Sequence, residues 1–326
     1  MISTQFHQRI LDLDPAAETA RIVSFLQGTI RQKLHRYGGV VGISGGVDSY
    51  LVLALCVRAF GADRVAAVMM PEKDSDPETL RLSRLVAGHY GVEPILEDIT
   101  PVLDGFGCYP RRDEAISRIF PEYNPRVGYK AKIGLPQNLL DEDTLNVFSL
   151  TIVTPDGEER SQRLPLRDYF QIVAASNFKQ RTRMAMLYYH AELRNYAVIG
   201  TANKNEHDQG FFVKWGDGGV DLKPIAHLYK TQVYQLAGYL DVPSEIRQRP
   251  PTTDTYSAPS TQQEFFFRLP FETMDMLWYA QEHGIAVSQV AEEMGLTETQ
   301  VKRAFDDFVR KSRTTDYLRL PAIGFE

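Results

Sequence analysis

The sequence predicts an α/β protein built on a doubly wound, mostly parallel sheet. Two observations carry that expectation. Short apolar runs alternate with segments of helical period, the pattern of strands crossing to parallel neighbours through helices. The first apolar run, Val40-Val41-Gly42-Ile43, leads straight into Ser44-Gly45-Gly46-Val47-Asp48-Ser49, and apolar residues then recur at helical spacing. Ligands of such sheets bind at the carboxyl ends of the strands, where this turn lies.

Taken in order, Ala16 to about Tyr37 reads as an amphipathic helix, with Ile22, Phe25, Leu26 and Ile30 on one face. The strand and the glycine-rich turn follow. Leu51, Val52, Leu55 and Cys56 mark the helix that the turn opens. Val65 to Met70 is a second apolar run. Pro77 to about Tyr90 reads as a helix with proline at a permitted early position. Glu93 to Thr100 is a third short strand. Residues 101–165 break the rhythm and read as an insertion or enlarged connection. Within it Cys108–Arg112 and Pro121–Pro125 look irregular, while Asn146–Thr154 and Glu158–Leu164 flank a Pro-Asp-Gly turn as a β-hairpin. This stretch reads as a surface embellishment or a dimer contact rather than a catalytic part. The alternation resumes with a helix from Ser176 to Asn195 and a strand over Tyr196–Thr201. A polar loop begins at Asn203, a second glycine-rich loop covers Phe211–Asp221, and a helix runs from Lys230 to Leu240. The reading divides the chain into a core (1–100 and 166–255), the insertion (101–165) and a C-terminal loop with helices (256–326).

Composition narrows the function. The chain has 326 residues and a net charge of −6, which argues against a general nucleic-acid coat. Two cysteines, Cys56 and Cys108, build neither a disulfide framework nor a four-cysteine zinc site. Cys108 has no nearby histidine or lysine–glutamate pattern and reads as structural rather than nucleophilic. No signal pattern or membrane-length apolar run is present, so a cytoplasmic protein without membrane partners is the expectation.

The Ser44–Ser49 turn has the chemistry of an anion clamp. Gly45 and Gly46 let the backbone approach a ligand, and the loop N–H groups and helix N-terminus face it with positive partial charge. Asp48 would repel phosphates unless a divalent cation stood between them. No Gly-Lys-Ser/Thr follows, so this is not a Walker loop.

The turn resembles the modified phosphate loop of the N-type ATP pyrophosphatases, which have an adenine nucleotide alpha hydrolase-like fold. Further motifs stand in order after it: Asn177-Phe178-Lys179-Gln180-Arg181-Thr182-Arg183-Met184, Gly200–Glu206, Gly210–Lys214, Gly216–Asp221, Leu228–Gln232 and Pro250–Asp254. The series is similar to the NAD synthetase family, of the ammonia-dependent type with an atypical insertion. The resemblance implies ATP-dependent amidation of deamido-NAD with ammonia through an acyl-adenylate, giving NAD, AMP and pyrophosphate. It implies ATP as co-substrate, Mg²⁺ as cofactor, a cytoplasmic homodimer, and ammonia supplied freely or by a separate protein. It also assigns roles. Gly42, Ile43, Ser44, Gly45, Gly46, Val47, Asp48 and Ser49 wrap the pyrophosphate. Thr201, Lys230 and Thr252 contact ATP. Asp48 and Glu206 hold the metal. Arg181, Lys214, Asp221, Phe211 and Arg319 bind the acid substrate. No residue serves as a covalent nucleophile, since the substrate carboxylate supplies one.

Two departures concern the acid side. Ser260-Thr261-Gln262-Gln263-Glu264-Phe265-Phe266-Phe267-Arg268 puts aromatic residues where the family carries acids, and Leu318 stands where it carries a lysine. Two rival readings follow: a ligase of the same scaffold acting on another carboxylic acid, and a nucleotide-sensing regulator whose residues 286–301 have the rhythm of a helix-turn-helix. In the latter, Glu298 and the scarcity of cations early in the second helix suit DNA phosphates poorly.

Overall fold

The first helix is set by its cap. The Asp14 carboxylate accepts from the N–H groups of Ala16 and Ala17, and Pro15 opens α1 (Pro15–Gly28). A π turn, Thr29–Lys33, ends it. Ile22, Leu26 and Ile30 are buried as the periodicity predicts, but Phe25 is 47% exposed. It lies about 100° around the helix from Leu26, at the margin of the apolar stripe. The structure is a computed structural model and describes residues 6–137, 139–142, 147–253 and 255–325.

The nucleus of the fold is β1 (Gly39–Gly42), α2 (Val47–Phe60), β2 (Val65–Met69), α3 (Pro77–His89) and β3 (Ile95–Leu96). A long excursion follows before the main sheet resumes. It contains α4 (Thr100–Gly105), α5 (Cys108–Ile119), β4 (Lys130–Gly134), β5 (Ser149–Val153), β6 (Glu159–Arg163) and α6 (Leu166–Arg194). Then β7 (Ala197–Ile199), α7 (Lys204–Gln209), α8 (Lys230–Tyr239) and α9 (Ser244–Arg247) complete the main-sheet half. The chain ends in α10 (Phe271–Glu282), α11 (Val287–Met294) and α12 (Glu298–Arg319).

The main sheet has the order β3-β2-β1-β7 with every pairing parallel. Alternate residues of its strands face opposite layers. Val41, Ala67 and Ile199 join a core with α1, α2 and α8, whereas Val40, Val68 and Val198 pack against Met184 and Leu187 of α6. Helices therefore cover both faces, as the doubly wound pattern predicts. The order of strands reverses direction at β1, between β2 and β7, and the crevice opens there.

The excursion holds both a confirmation and corrections. β5 and β6 pair antiparallel, and the Thr154–Glu158 turn closes with Gly157 N–H donating to the Thr154 carbonyl. Asn146 lies outside the described residues. β4 adds a further strand on the other edge of β5. Its sequence, Lys-Ala-Lys-Ile-Gly, offers only two apolar positions, too few to announce a strand. Cys108–Arg112 is helical, not irregular. Pro110 occupies the third position of α5, where an N–H would have no intrahelical acceptor, so the proline is tolerated. The helix expected from Ser176 begins at Leu166 instead. Nor is the stretch an embellishment. Its own apolar cluster includes Ile133, Leu150 and Ile152 and joins Ile172 of α6 and Tyr256.

The C-terminal helices form another core, where Trp278 and Phe308 meet edge to face at 5.0 Å. α11 and α12 are the two helices of the helix-turn-helix rhythm. They turn at Gly295, and Val290, Val301 and Phe308 face this core.

Candidate active site

The site is built from the carboxyl end of β1 outward. The chain leaves Gly42, turns through Ser44–Gly46 and enters α2 at Val47. Gly45 has φ +81°, and a Cβ there would lie 3.2 Å from Arg249 Nη1 and 3.3 Å from Thr79 Cα. Both the left-handed backbone and the close approach require glycine. The Ser49 hydroxyl is used inside the turn, donating to the Gly46 carbonyl at 2.9 Å and accepting from Ser44 N–H at 3.3 Å.

Asp48, in the first turn of α2, faces α7 and α8. Its Oδ2 pairs with the ammonium of Lys230, which is fully buried at the start of α8. Its Oδ1 accepts from Asn203 Nδ2 at 2.9 Å. Burial works against the Lys230 charge, but Asp48 and Glu206 outweigh it and hold the pKa above the ordinary lysine value. The opposite holds for Glu206. Burial and then the negative charge of Asp48 push it up to about 8, against the pull of Lys230. Two carboxylates thus share a site with one ammonium.

Asn203 to Glu206, expected as a polar loop, is instead the capped start of α7. The Asn203 side chain accepts from Glu206 N–H at 3.0 Å, and Glu206 Oε2 accepts from Asn203 N–H at 3.2 Å. This reciprocal box fixes the helix and aims Glu206 at Asp48. The spacing Asn-x-x-Glu was the available signal. Asn205 and Asp275 fix the next element. Asp275 accepts from Asn205 and from Thr231 N–H at 2.8 Å, holding the first turn of α8. Gln262 donates to Glu206 Oε1 at 3.0 Å. Asn203, Asp275 and Gln262 were not singled out in the sequence.

A cleft of about 1120 Å³ opens over these groups. Its lining brings together Gly42 through Ser49, Thr201, Glu206, Lys230 and Thr252 with Arg181, Phe211 and Lys214. Asp254 lies outside the described residues. Two expected contacts are absent from the lining. Asp221 is turned to the backbone, accepting from Val198 N–H at 2.8 Å and from the Tyr188 hydroxyl at 2.9 Å. Arg319 closes the end of α7, donating to the carbonyls of His207 at 3.2 Å and Asp208 at 3.1 Å, and pairs with Asp316. A guanidinium near a chain end has no sequence signal that separates capping from ligand binding. Lys214 lines the cleft, with its ammonium on the Tyr317 and Leu320 carbonyls at 2.7 and 2.8 Å. α12 supplies two further cations to the lining, Arg310 and Lys311, which were not foreseen.

The far end of the cleft is aromatic. Phe211 stacks on Phe266 at 5.2 Å, and Phe265 lies 5.6 Å from Tyr256 and 6.0 Å from Phe148. Behind the cleft lining at Thr255 sits a buried ion network. Lys179 donates to Glu72 at 2.8 Å, Asp74 at 2.9 Å and the Thr255 carbonyl at 2.8 Å, while Arg112 of α5 pairs with Asp74. Burial raises the Asp74 pKa, but Lys179 and Arg112 overcome it and hold the carboxyl below the ordinary value. Cys108 is buried and free, its thiol donating to the Ala175 carbonyl, and burial pushes its pKa up.

The family model for NAD synthase matches residues 18–119 and 143–316. The chain belongs to the NAD synthase family. It is 50% identical over 315 residues to the NH(3)-dependent NAD(+) synthetase of Rhizobium meliloti, covering 97% of this chain and 93% of that one. The enzyme of the same name from Thermotoga maritima is 38% identical, over 78% of this chain and 84% of its own. Among solved structures, an NH3-dependent NAD synthetase from Campylobacter jejuni superposes with a TM-score of 0.61 at 22% identity, covering 96% of this chain and all of that one. An NMN synthetase from Francisella tularensis gives 0.60 at 20% identity, covering 96% and 99%. At these identities the two structures establish the α/β fold of the NAD synthetases.

Among the described residues no helix is long and apolar enough to cross a membrane. No group of three or more histidine, cysteine or acidic side chains is placed to hold a metal among them either. Asp48 and Glu206 are a pair. A pair of carboxylates suits Mg²⁺, which keeps several waters and takes its remaining ligands from substrate phosphates. The donor set and the mutual repulsion of the two acids both fit such an ion.

Proposed function

We propose that this chain is an ammonia-dependent NAD synthetase, a ligase that amidates deamido-NAD at the expense of ATP. The observation that carries the reading is the Asp48–Lys230–Glu206 cluster at the mouth of the Gly45-Gly46 turn. It combines an anion-binding turn with the charges that a nucleotide and its metal need, in a chain half identical to curated enzymes of that name. ATP lies with its phosphates on residues 42–49, and Thr201 and Thr252 line the nucleotide side. Bound Mg²⁺, held by Asp48 and Glu206, would neutralise phosphate charge and polarise the phosphoryl oxygens.

The reaction then needs positioning more than covalent help from the protein. A carboxylate oxygen of deamido-NAD attacks the α-phosphorus as the bond to the β-phosphate bridging oxygen breaks. Pyrophosphate leaves against the N–H groups of the turn, which face the charge it gains. Ammonia next attacks the acyl carbon, the carbon–oxygen bond breaks, AMP departs and the added nitrogen sheds its proton. Lys230 supplies a fixed positive charge beside the phosphates throughout. Arg181, Lys214 and Phe211 form the acid-substrate side. Asp221 and Arg319 support neighbouring elements and are left out of the binding set.

The dimer is part of the same reading. Leu166, Phe170, Tyr189 and Leu193 leave large apolar surfaces exposed along α6, and Phe106 joins them beside Phe178. Single exposed apolar residues are ordinary, but a set along one long helix suits a second copy. Phe170 also lines the cleft, so such an interface adjoins the site. A cytoplasmic setting and free ammonia, or ammonia from a separate protein, complete the reading.

A second reading keeps adenylation and changes the acid. The aromatic end of the cleft favours it. One assay separates the two: ATP, Mg²⁺ and ammonium are incubated with deamido-NAD or with other carboxylic acids, and NAD, AMP and pyrophosphate are measured. NAD formed in step with AMP supports the first reading. Intact ATP with deamido-NAD, and pyrophosphate released with another acid, supports the second.

A further inference from the structure

The family match leaves a gap at residues 120–142, and β4 lies inside it. One edge of β4 pairs with β5. The other runs beside the loop that carries Phe265 and Phe266. Ala258 N–H donates to the Ala131 carbonyl at 3.1 Å, and Ala131 N–H donates to Ser257 Oγ at 3.0 Å. Further along, Leu135 N–H donates to the Glu264 carbonyl at 3.3 Å, and Gln137 Nε2 donates to the same carbonyl at 2.8 Å. A Cβ on Gly134 would stand 3.0 Å from that oxygen, so the two backbones touch. Leu135 itself reaches the cleft wall.

The middle of the loop has separate ties. Thr253 N–H donates to the Ser260 carbonyl and Gln262 N–H to the Pro251 carbonyl, both at 2.9 Å. Thr252 and Thr261 form an antiparallel bridge there. The 251–253 segment thus ties the loop at 260–262, and β4 ties it on either side, at 257–258 and at 264, next to Phe265 and Phe266. The aromatic loop and the segment that the family match skips are in contact with each other.

We propose that residues 130–137 are a positioning strap, which fixes the Phe265–Phe266 end of the loop as a wall for the acid substrate before any substrate arrives. The inference rests on the deamido-NAD reading for its kinetic consequence, and on geometry alone for its conformational one. Phe265 and Phe266 are the specificity-determining side chains, and Gly134 and Gln137 act through them.

The test compares Gly134→Val, Gln137→Ala and Lys132→Ala with the unaltered full-length chain. Valine suits a strand and preserves the β4–β5 ladder, yet presses on the Glu264 carbonyl. Lys132 pairs with Glu159 of β6 at 3.0 Å, away from the loop, and serves as the control. Each substrate-free protein is exposed briefly to chymotrypsin, and the KM of each substrate is measured. The unaltered chain and Lys132→Ala should resist cleavage within 256–268, while Gly134→Val and Gln137→Ala are cut there. Gly134→Val should raise the KM for deamido-NAD about tenfold and Gln137→Ala about threefold, with the KM for ATP changed by less than about twofold. Equal changes for ATP and the acid, cleavage of the unaltered chain in this loop, or variants that behave like Lys132→Ala would each overturn the strap. If Gly134→Val does not fold, Gln137→Ala decides alone. If the unaltered chain makes no NAD, the functional reading fails while the protease comparison still judges the strap.

Discussion

The two ends of the cleft are made in different ways. Each part of the nucleotide end is encoded locally, as a glycine turn with its helix, a capped helix and a lysine at a helix start, although Asp48, Glu206 and Lys230 themselves come from distant segments. The acid end is assembled from segments far apart in the chain, with Phe148, Tyr169, Phe211, Tyr256 and Phe265 meeting only through tertiary packing. In the reading proposed above, adenylation belongs to the first and the choice of acid to the second. Charge and a left-handed backbone at Gly45 constrain the first end, so substitutions there should cost more than conservative aromatic changes at the second.

The largest break in this comparison should come from Asp48→Asn. It would remove a carboxylate proposed to hold Mg²⁺ and leaves the buried Lys230 without its ion-pair partner. Amidation should fall by about a thousandfold or more, and loss of one partner of a buried pair costs about 3–5 kcal/mol of stability. Steady-state kinetics and thermal unfolding measure the two effects. Normal activity would remove Asp48 from the site.

Lys230→Met should follow, with kcat lowered about a hundredfold and little change in the KM for deamido-NAD. A change confined to the acid KM would place Lys230 at the wrong end. At the acid end the effects should be smaller and of the other kind. Lys214→Ala frees the carbonyls of Tyr317 and Leu320 and should raise the acid KM about tenfold, with ATP nearly unaffected. An effect on ATP alone contradicts that placement.

The smallest effect should come from Arg319→Ala. Its guanidinium serves the carbonyls at the end of α7, so about 1 kcal/mol of stability should be lost while both KM values stay within about twofold. A large rise in the acid KM would return Arg319 to the binding set.

The same contrast explains what could be read in advance. The parallel sheet and the 42–49 turn were legible because strand runs, glycine and a misplaced-looking carboxylate leave direct marks in sequence. α5 was hidden because Pro110 suggested a break, although its position in the first turn permits a helix. α7 was hidden in a polar string whose Asn203–Glu206 spacing encodes a cap. Asp221 and Arg319 lie outside the cleft lining and bond to backbone, and a charged residue used in that way carries no sequence mark that separates it from one bonded to a ligand. β4 had two apolar positions and a partner loop more than a hundred residues away, and only the fold joins them.

The central claim is that the substrate carboxylate attacks the α-phosphorus and that its oxygen stays with AMP. Deamido-NAD labelled with ¹⁸O in its carboxylate tests this directly, by mass analysis of the AMP formed with ATP, Mg²⁺ and ammonium. The account predicts one labelled oxygen in each AMP produced alongside NAD. AMP without label, or none formed while deamido-NAD is present, would contradict it.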